Sequence, residues 1–186
     1  MMTPIEQLSH IVPALTGVVD RIWYGQLDSP TPCANFTVHD VLDHMLVGGG
    51  TFAPLFRGET PSEVKAPAVY GWVPATEFAA TMNNLLDAVK SPGALDRVIH
   101  SPFGDVDGDT FARLVAFDGL IHGWDLAQAT GQTWAPAVEV VVAVDAFARR
   151  AITPEMRDGE TFANPTVAPA DASPLERLVA FSGRTV

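Results

Sequence analysis

Cysteine and basic residues are scarce in this chain of 186 residues, and long hydrophobic runs are missing altogether. The single cysteine, Cys33, excludes an internal disulfide framework. Only 11 Lys and Arg stand against 22 Asp and Glu, a formal net charge of -11, and no basic cluster offers the patch that a phosphate backbone requires. No nucleic-acid partner is expected. Every weakly charged stretch is broken by Gly, Pro or an acidic residue well before the roughly 18 residues that a membrane span needs, so no membrane partner is expected either. The N-terminus has no basic start followed by an apolar segment and a small-residue cleavage site. The expectation is a soluble protein of the reducing cytoplasm. What the chain does have is 47% hydrophobic against 18% charged residues, which is enough for a sizeable core in one domain over residues 1–186. No internal repeat or low-complexity tract interrupts it.

The periodic segments are mainly helical. Ile5, Leu8, Ile11, Leu15, Val18, Val19 and Ile22 recur at helical spacing from about Pro4 to Ile22, with Pro13 expected to kink or split the helix. After the turn-rich DSPTPCAN at Asp28 to Asn35, Thr37 and Asp40 form a capping box for a second helix. That helix carries Val38, Val41, Leu42, Met45 and Leu46 inward and continues to about Phe56 despite Gly48, Gly49 and Gly50. Three glycines cost roughly 1 kcal/mol each relative to Ala, so they serve either a kink or close helix packing, or space left open for a ligand. A loop at Gly58 to Pro74 precedes a third helix from about Ala75 to Val89, stopped by Ser91 to Gly93. Asp96 to Asp109 reads as a hairpin turning at Pro102 to Gly104. Asp109 or Thr110 can cap a fourth helix ending near Gly131, and a fifth from Pro136 to Arg150 should bury Val140, Val141, Val144 and Phe147. An extended stretch over Thr153 to Ala172 leads to a short last helix, opened by the capping box of Ser173 and Glu176 with Pro174 between.

The fourth helix holds the chemistry. In AFDGLIHGWDLA, Phe111, Leu114, Val115, Asp118, His122, Asp125 and Ala129 project toward one side, so three ionisable groups interrupt an apolar stripe. Charges persist inside only when paired, hydrogen-bonded or bound to a metal. Asp118 and His122, one turn apart, can either share one cation or form a hydrogen-bonded pair. A tight metal site needs a third ligand from another helix, and His44, on the edge of the second helix's apolar stripe, is the best placed. His39 falls in a first turn and should be solvated, whereas His10 and His100 have no obvious partner. Cys33 is either a reactive thiol near the site or a packed structural residue, because the helix N-terminus that would lower its pKa begins four residues later. Arg149 and Arg150 either meet a polar substrate or complement a helix C-terminus. The tryptophans at 23, 72, 124 and 134 read as core or rim.

Taken together, PTPC at 30–33, Thr37-Val38, Asp40-Val41-Leu42, His44, Asp118, His122, WDLA at Trp124 to Ala127 and ATG at Ala129 to Gly131 resemble the DinB/YfiT-like superfamily. The similarity is to its actinobacterial branch related to mycothiol-dependent maleylpyruvate isomerase, and PTVAPADASPLERLVAFSGR at Pro165 to Arg184 resembles that branch's single-domain members. The resemblance implies a mainly all-α fold, a DinB-like four-helix bundle with a small β-hairpin and extra C-terminal helices. It implies a divalent metal, zinc or nickel, on His44, Asp118 and His122, and mycothiol as cosubstrate. Asp125 matches a family position beside the thiol and substrate pocket, a catalytic candidate that orients substrate or a ligand; a hydrogen bond to a neighbouring helix end is the alternative. Two departures follow. Asp118 stands where the isomerase motif has the longer Glu, which should lengthen or weaken one metal bond, and the isomerase's additional C-terminal domain has no counterpart here, so its substrate does not carry over.

Three protein ligands leave zinc a fourth position for water or a thiol. The expected function is therefore a metal-dependent, mycothiol-dependent S-transferase or isomerase acting on a small electrophile; the alternatives are a non-catalytic bundle binding metal or a small ligand and a structural polar cluster in a self-associating bundle. A homodimer through the fifth helix is the corresponding partner expectation.

Overall fold

The computed structural model describes residues 2–64, 75–101, 104–157 and 162–186. Six helices and one hairpin follow in order: α1 (Pro4–Val19), α2 (Val38–Arg57), α3 (Ala75–Val89), β1 (Val98–Ser101), β2 (Gly104–Asp107), α4 (Gly108–Thr130), α5 (Val138–Ala151) and α6 (Pro174–Phe181). Capping chemistry sets most of the helix starts. Thr3 and Glu6, Thr37 and Asp40, and Ser173 and Glu176 each form the reciprocal pair of bonds that satisfies the free amides of a first turn.

α1 and α2 each pack on both α3 and α4, so the four close a ring, and α5 and then α6 are added outside α4. This is the expected bundle with its C-terminal additions. The hairpin is antiparallel, with Val98 opposite Asp107 and Ile99 opposite Val106. Its turn residues 102–103 lie outside the described residues, as do Trp72 with the rest of 65–74, and residues 158–161 of the expected extended stretch. Among the described residues no helix is long and apolar enough to cross a membrane.

Several expectations change in detail. α1 runs unbroken through Pro13 and stops at Val19, three residues short of the periodic pattern. α4 is capped by Asp107, whose side chain accepts from the Thr110 amide, rather than by Asp109 or Thr110. Nor does α4 bury a single stripe. Leu114, Val115 and Ala129 are only half-buried, while Ala116, Leu120, Ile121, Trp124 and Leu126 around the helix are buried, because α1, α2 and α5 cover it from different directions. Phe147 is half-buried, Trp23 is exposed and His100 does have a partner, Asp105 Oδ1 at 2.6 Å from its Nδ1.

Among the glycines of α2, Gly49 serves close packing of helix on helix. A Cβ on Gly49 would lie 2.7 Å from both the Met82 methyl and a Thr81 methyl on α3, and α2 remains helical through all three glycines. A still tighter approach fixes the start of α4. A Cβ on Gly108 would lie 1.9 Å from the Ala94 carbonyl oxygen, a backbone atom that cannot swing aside. Gly108→Ala should therefore destabilise the protein by about 1–3 kcal/mol in urea unfolding, the range typical of overpacking; an unchanged midpoint would contradict the packing of α4 against residues 94–95.

Candidate metal centre

α2 and α4 face each other where both carry polar groups. On α2, His44 lies two turns beyond the Thr37 cap; on α4, Asp118 and His122 are one turn apart and Asp125 follows at i+3. Packing brings the three expected ligands together. Asp118 Oδ1 lies 3.3 Å from His44 Nε2 and 3.4 Å from His122 Nε2, and the two imidazole rings stand edge to face with centroids 5.0 Å apart. One donor atom from each of the three lies within 4.8 Å of the others. The recess is open on one side: the His44 and Asp118 side chains are 45% and 44% exposed, whereas His122 is 8% exposed.

Behind His122 stands a second polar layer. Its Nδ1 lies 2.9 Å from Asp125 Oδ2, and Asp125 has no exposed surface. A carboxylate oxygen accepts here, so the Nδ1–H donates, and in the neutral imidazole it is the Nε2 lone pair that faces Asp118 and His44. Arg184 completes the pairing by donating from Nε to Asp125 Oδ1 at 3.2 Å and from Nη2 to Oδ2 at 2.8 Å. This arginine was not singled out as a site residue from sequence. It lies 59 residues from Asp125, and its only sequence signal is its place at the end of the C-terminal motif. The chain turns after α6 at Gly183, and the Arg184 amide bonds back to the Val179 carbonyl.

Cys33 also reaches this layer. The loop before α2 closes through the Thr31 amide donating to the Phe36 carbonyl and the Phe36 amide to that of Cys33, with Asn35 in the left-handed region. The Cys33 sulfur, a His122 ring nitrogen and an Asp125 oxygen then lie within 4.8 Å of one another. Burial pushes the Cys33 thiol up to about 11, Asp125 and Asp118 push the same way, and Arg184 pulls down only in part. It is a neutral thiol, so the helix N-terminus does not activate it. Arg149 is held elsewhere, bonded to Asp145 and stacked over Phe181, and His39 is half-buried 3.6 Å from Asp43 rather than solvated.

The donor set fits a divalent cation. It offers two imidazoles and a carboxylate, two of the three open toward solvent, and the most buried imidazole is oriented by a carboxylate on its other nitrogen, an arrangement shared by many zinc sites. Beside these groups is a cavity of about 40 Å³ between the four bundle helices, walled by side chains such as Leu8, Leu15, Met45 and Leu85, with His44 and Asp118 as its polar members.

Residues 8–127 match the family described as mycothiol maleylpyruvate isomerase N-terminal domain, a span that includes His44, Asp118, His122 and Asp125. The chain belongs to this family. Two uncharacterized proteins, from two strains of Mycobacterium tuberculosis, are each 33% identical to it over 187 residues, covering the whole of both chains. No solved structure matches. As a mycothiol maleylpyruvate isomerase N-terminal domain, the chain carries beyond residue 127 the segment that brings Arg184 back to Asp125.

The electrostatics give a pH dependence. Burial alone would lower the His122 pKa, but Asp118 and then Asp125 override it and hold the imidazole up at about 9, against an ordinary 6.5. The protein atoms crowding Asp118 push its carboxyl up, although its side chain is open to solvent on one side, and His122 and His44 nevertheless hold it well below the usual carboxylate range. A raised histidine stabilises the fold fully below its unfolded value and loses that contribution as pH rises through the folded one. Metal-free protein should thus melt progressively lower between pH 6.5 and 9, and Asp118→Asn should flatten that slope. Because a cation displaces the same proton, metal affinity should rise over this window. Thermal melts with and without metal measure both, and a metal-free melting temperature that rises through the window would contradict the pairing.

Proposed function

We propose that this protein is a divalent-metal-dependent, mycothiol-dependent S-transferase or isomerase in which a thiolate attacks a small electrophile. His44, Asp118 and His122 are the metal ligands of this reading, with zinc the first choice and nickel the second. What carries it is one observation: three donor atoms from two facing helices lie within 4.8 Å of one another, and the most buried of the three residues is backed by the Asp125–Arg184 pair. A divalent cation held there would supply the Lewis acidity that favours the thiolate form of an incoming thiol.

The chain's own groups do the rest. Asp125 acts as the orienting residue, keeping a His122 proton on Nδ1 so that Nε2 is the nitrogen that binds, and Arg184 fixes Asp125 in place with two hydrogen bonds. The exposure of His44 and Asp118 gives a small thiol access to the recess, while α1 and α3 close off its other side. The shorter Asp118, where the isomerase motif has Glu, still reaches both imidazoles. In this reading one domain carries the whole site, and the partners are a low-molecular-weight thiol and a small electrophile in the cytoplasm.

Elemental analysis of protein purified without a histidine tag tests the first half. Unsubstituted protein should hold metal, His44→Ala and His122→Ala should lose it, and Asp125→Asn should bind it about 10–100-fold more weakly, as loss of an orienting partner typically does. Stoichiometric metal in either histidine variant would remove the site. Incubating the metal-loaded protein with mycothiol and electrophiles tests the second half; metal binding with neither thiol binding at millimolar concentration nor turnover would leave a non-catalytic binding bundle.

A further inference from the structure

The cavity inside the bundle has a chemistry that the metal reading does not use. α1 contributes Leu8, Ile11 and Leu15, α2 Met45, α3 Leu85 and α4 Val115, and among the described lining residues only His44 and Asp118 are polar. Among the described residues no cationic side chain lines it. A groove along the outer side of α2 shares His44, Gly48 and Phe52 with this cavity and adds Asp40 and Asp43, so carboxylates rather than cations flank the way past His44. Arg184, placed behind the recess, is already occupied by both oxygens of Asp125.

These features decide what can sit beside the reacting centre. A carboxylate in the cavity would lose its hydration without gaining a cation, and it would face Asp118. An apolar group instead gains by leaving water, since the rest of the lining is apolar. At about 40 Å³ the space holds roughly three heavy atoms, taking about 10–15 Å³ for each water-sized group.

From this we propose that the electrophile is uncharged and carries a short apolar group of about three carbons, which occupies the cavity between the four bundle helices, and that the site discriminates against dicarboxylates. The inference rests on the metal and thiol reading above and names its substrate class. A terminal epoxide illustrates the balance. The sulfur of the low-molecular-weight thiol bonds to the ring carbon as the carbon–oxygen bond breaks, and the thiol proton ends on the new alkoxide oxygen.

Two measurements test it separately. Xenon, applied to metal-free protein without thiol, should shift the methyl NMR signals of Leu15, Leu85 and Val115 saturably; unshifted signals would mean that the cavity does not admit an apolar guest and would overturn the proposal. The metal-loaded protein with mycothiol and a series of 1,2-epoxyalkanes should show kcat/KM rising about fourfold for each methylene from the methyl to the propyl substituent and no further, the factor corresponding to about 0.8 kcal/mol per buried methylene. Leu15→Ala should move that limit to longer chains. A flat series, or rate enhancement for maleate equal to that for the propyl epoxide, would overturn the substrate class while leaving the thiol chemistry standing. No thiol consumption with any electrophile would overturn the catalytic reading and this one with it, and the xenon shifts would tell that failure from a closed cavity.

Discussion

Asp125 is a carboxylate with no exposed surface, and the arrangement of the site depends on how that charge is satisfied. An unpaired buried charge costs several kcal/mol, so Asp125 requires partners from more than one element. His122 supplies one bond from the same helix, and Arg184 supplies two from the end of the chain. The pairing therefore docks the segment after α6 against α4 and fixes the direction of the His122 ring in one stroke. Removing Asp125 would leave both His122 Nδ1 and Arg184 without these bonds, and removing either partner would leave Asp125 short of part of its pairing.

The core of the bundle is polar at one level and apolar at the next. Near the middle of α4, His122 and Asp118 meet His44 from α2, and one turn earlier Val115 faces the leucines of α1. In the proposed reading, recognition and reactivity then fall to adjacent parts of the same interior, with polar groups on one side and a small, largely apolar space on the other. The tight seat of α2 on α3 at Gly49 limits how large that space can be. Cys33 borders the polar side as a neutral thiol, held by its own loop rather than by the helix that follows.

Much of this was legible in the sequence because the relevant signals are local. Capping boxes at Thr3, Thr37 and Ser173 are pairs of residues three apart, and the Asp118–His122 spacing is one helical turn. The capping box at Thr3 was read only as periodicity, but the other two were identified from their residues. His44 stood out by its place on the edge of the second helix's stripe, and the family resemblance strengthened its link to Asp118, since no spacing joins residues 74 apart. What stayed hidden was set by tertiary contact alone. Arg184 pairs across 59 residues, α4 is covered from several directions rather than along one stripe, and Gly49 of α2 shows its purpose only against Met82 and Thr81. The apolar cavity belongs to four helices at once, so no one of them announces it.

X-ray absorption of the zinc-loaded protein, purified without a tag and measured in thiol-free buffer, tests the central claim most directly, because two overlapping donor sets compete for His122. One is His44, Asp118 and His122; the other is Cys33, His122 and Asp125. The account predicts only nitrogen and oxygen neighbours at about 2.0–2.1 Å, with the outer-shell scattering of two imidazoles. A sulfur neighbour at about 2.3 Å, or the signature of a single imidazole, would contradict it.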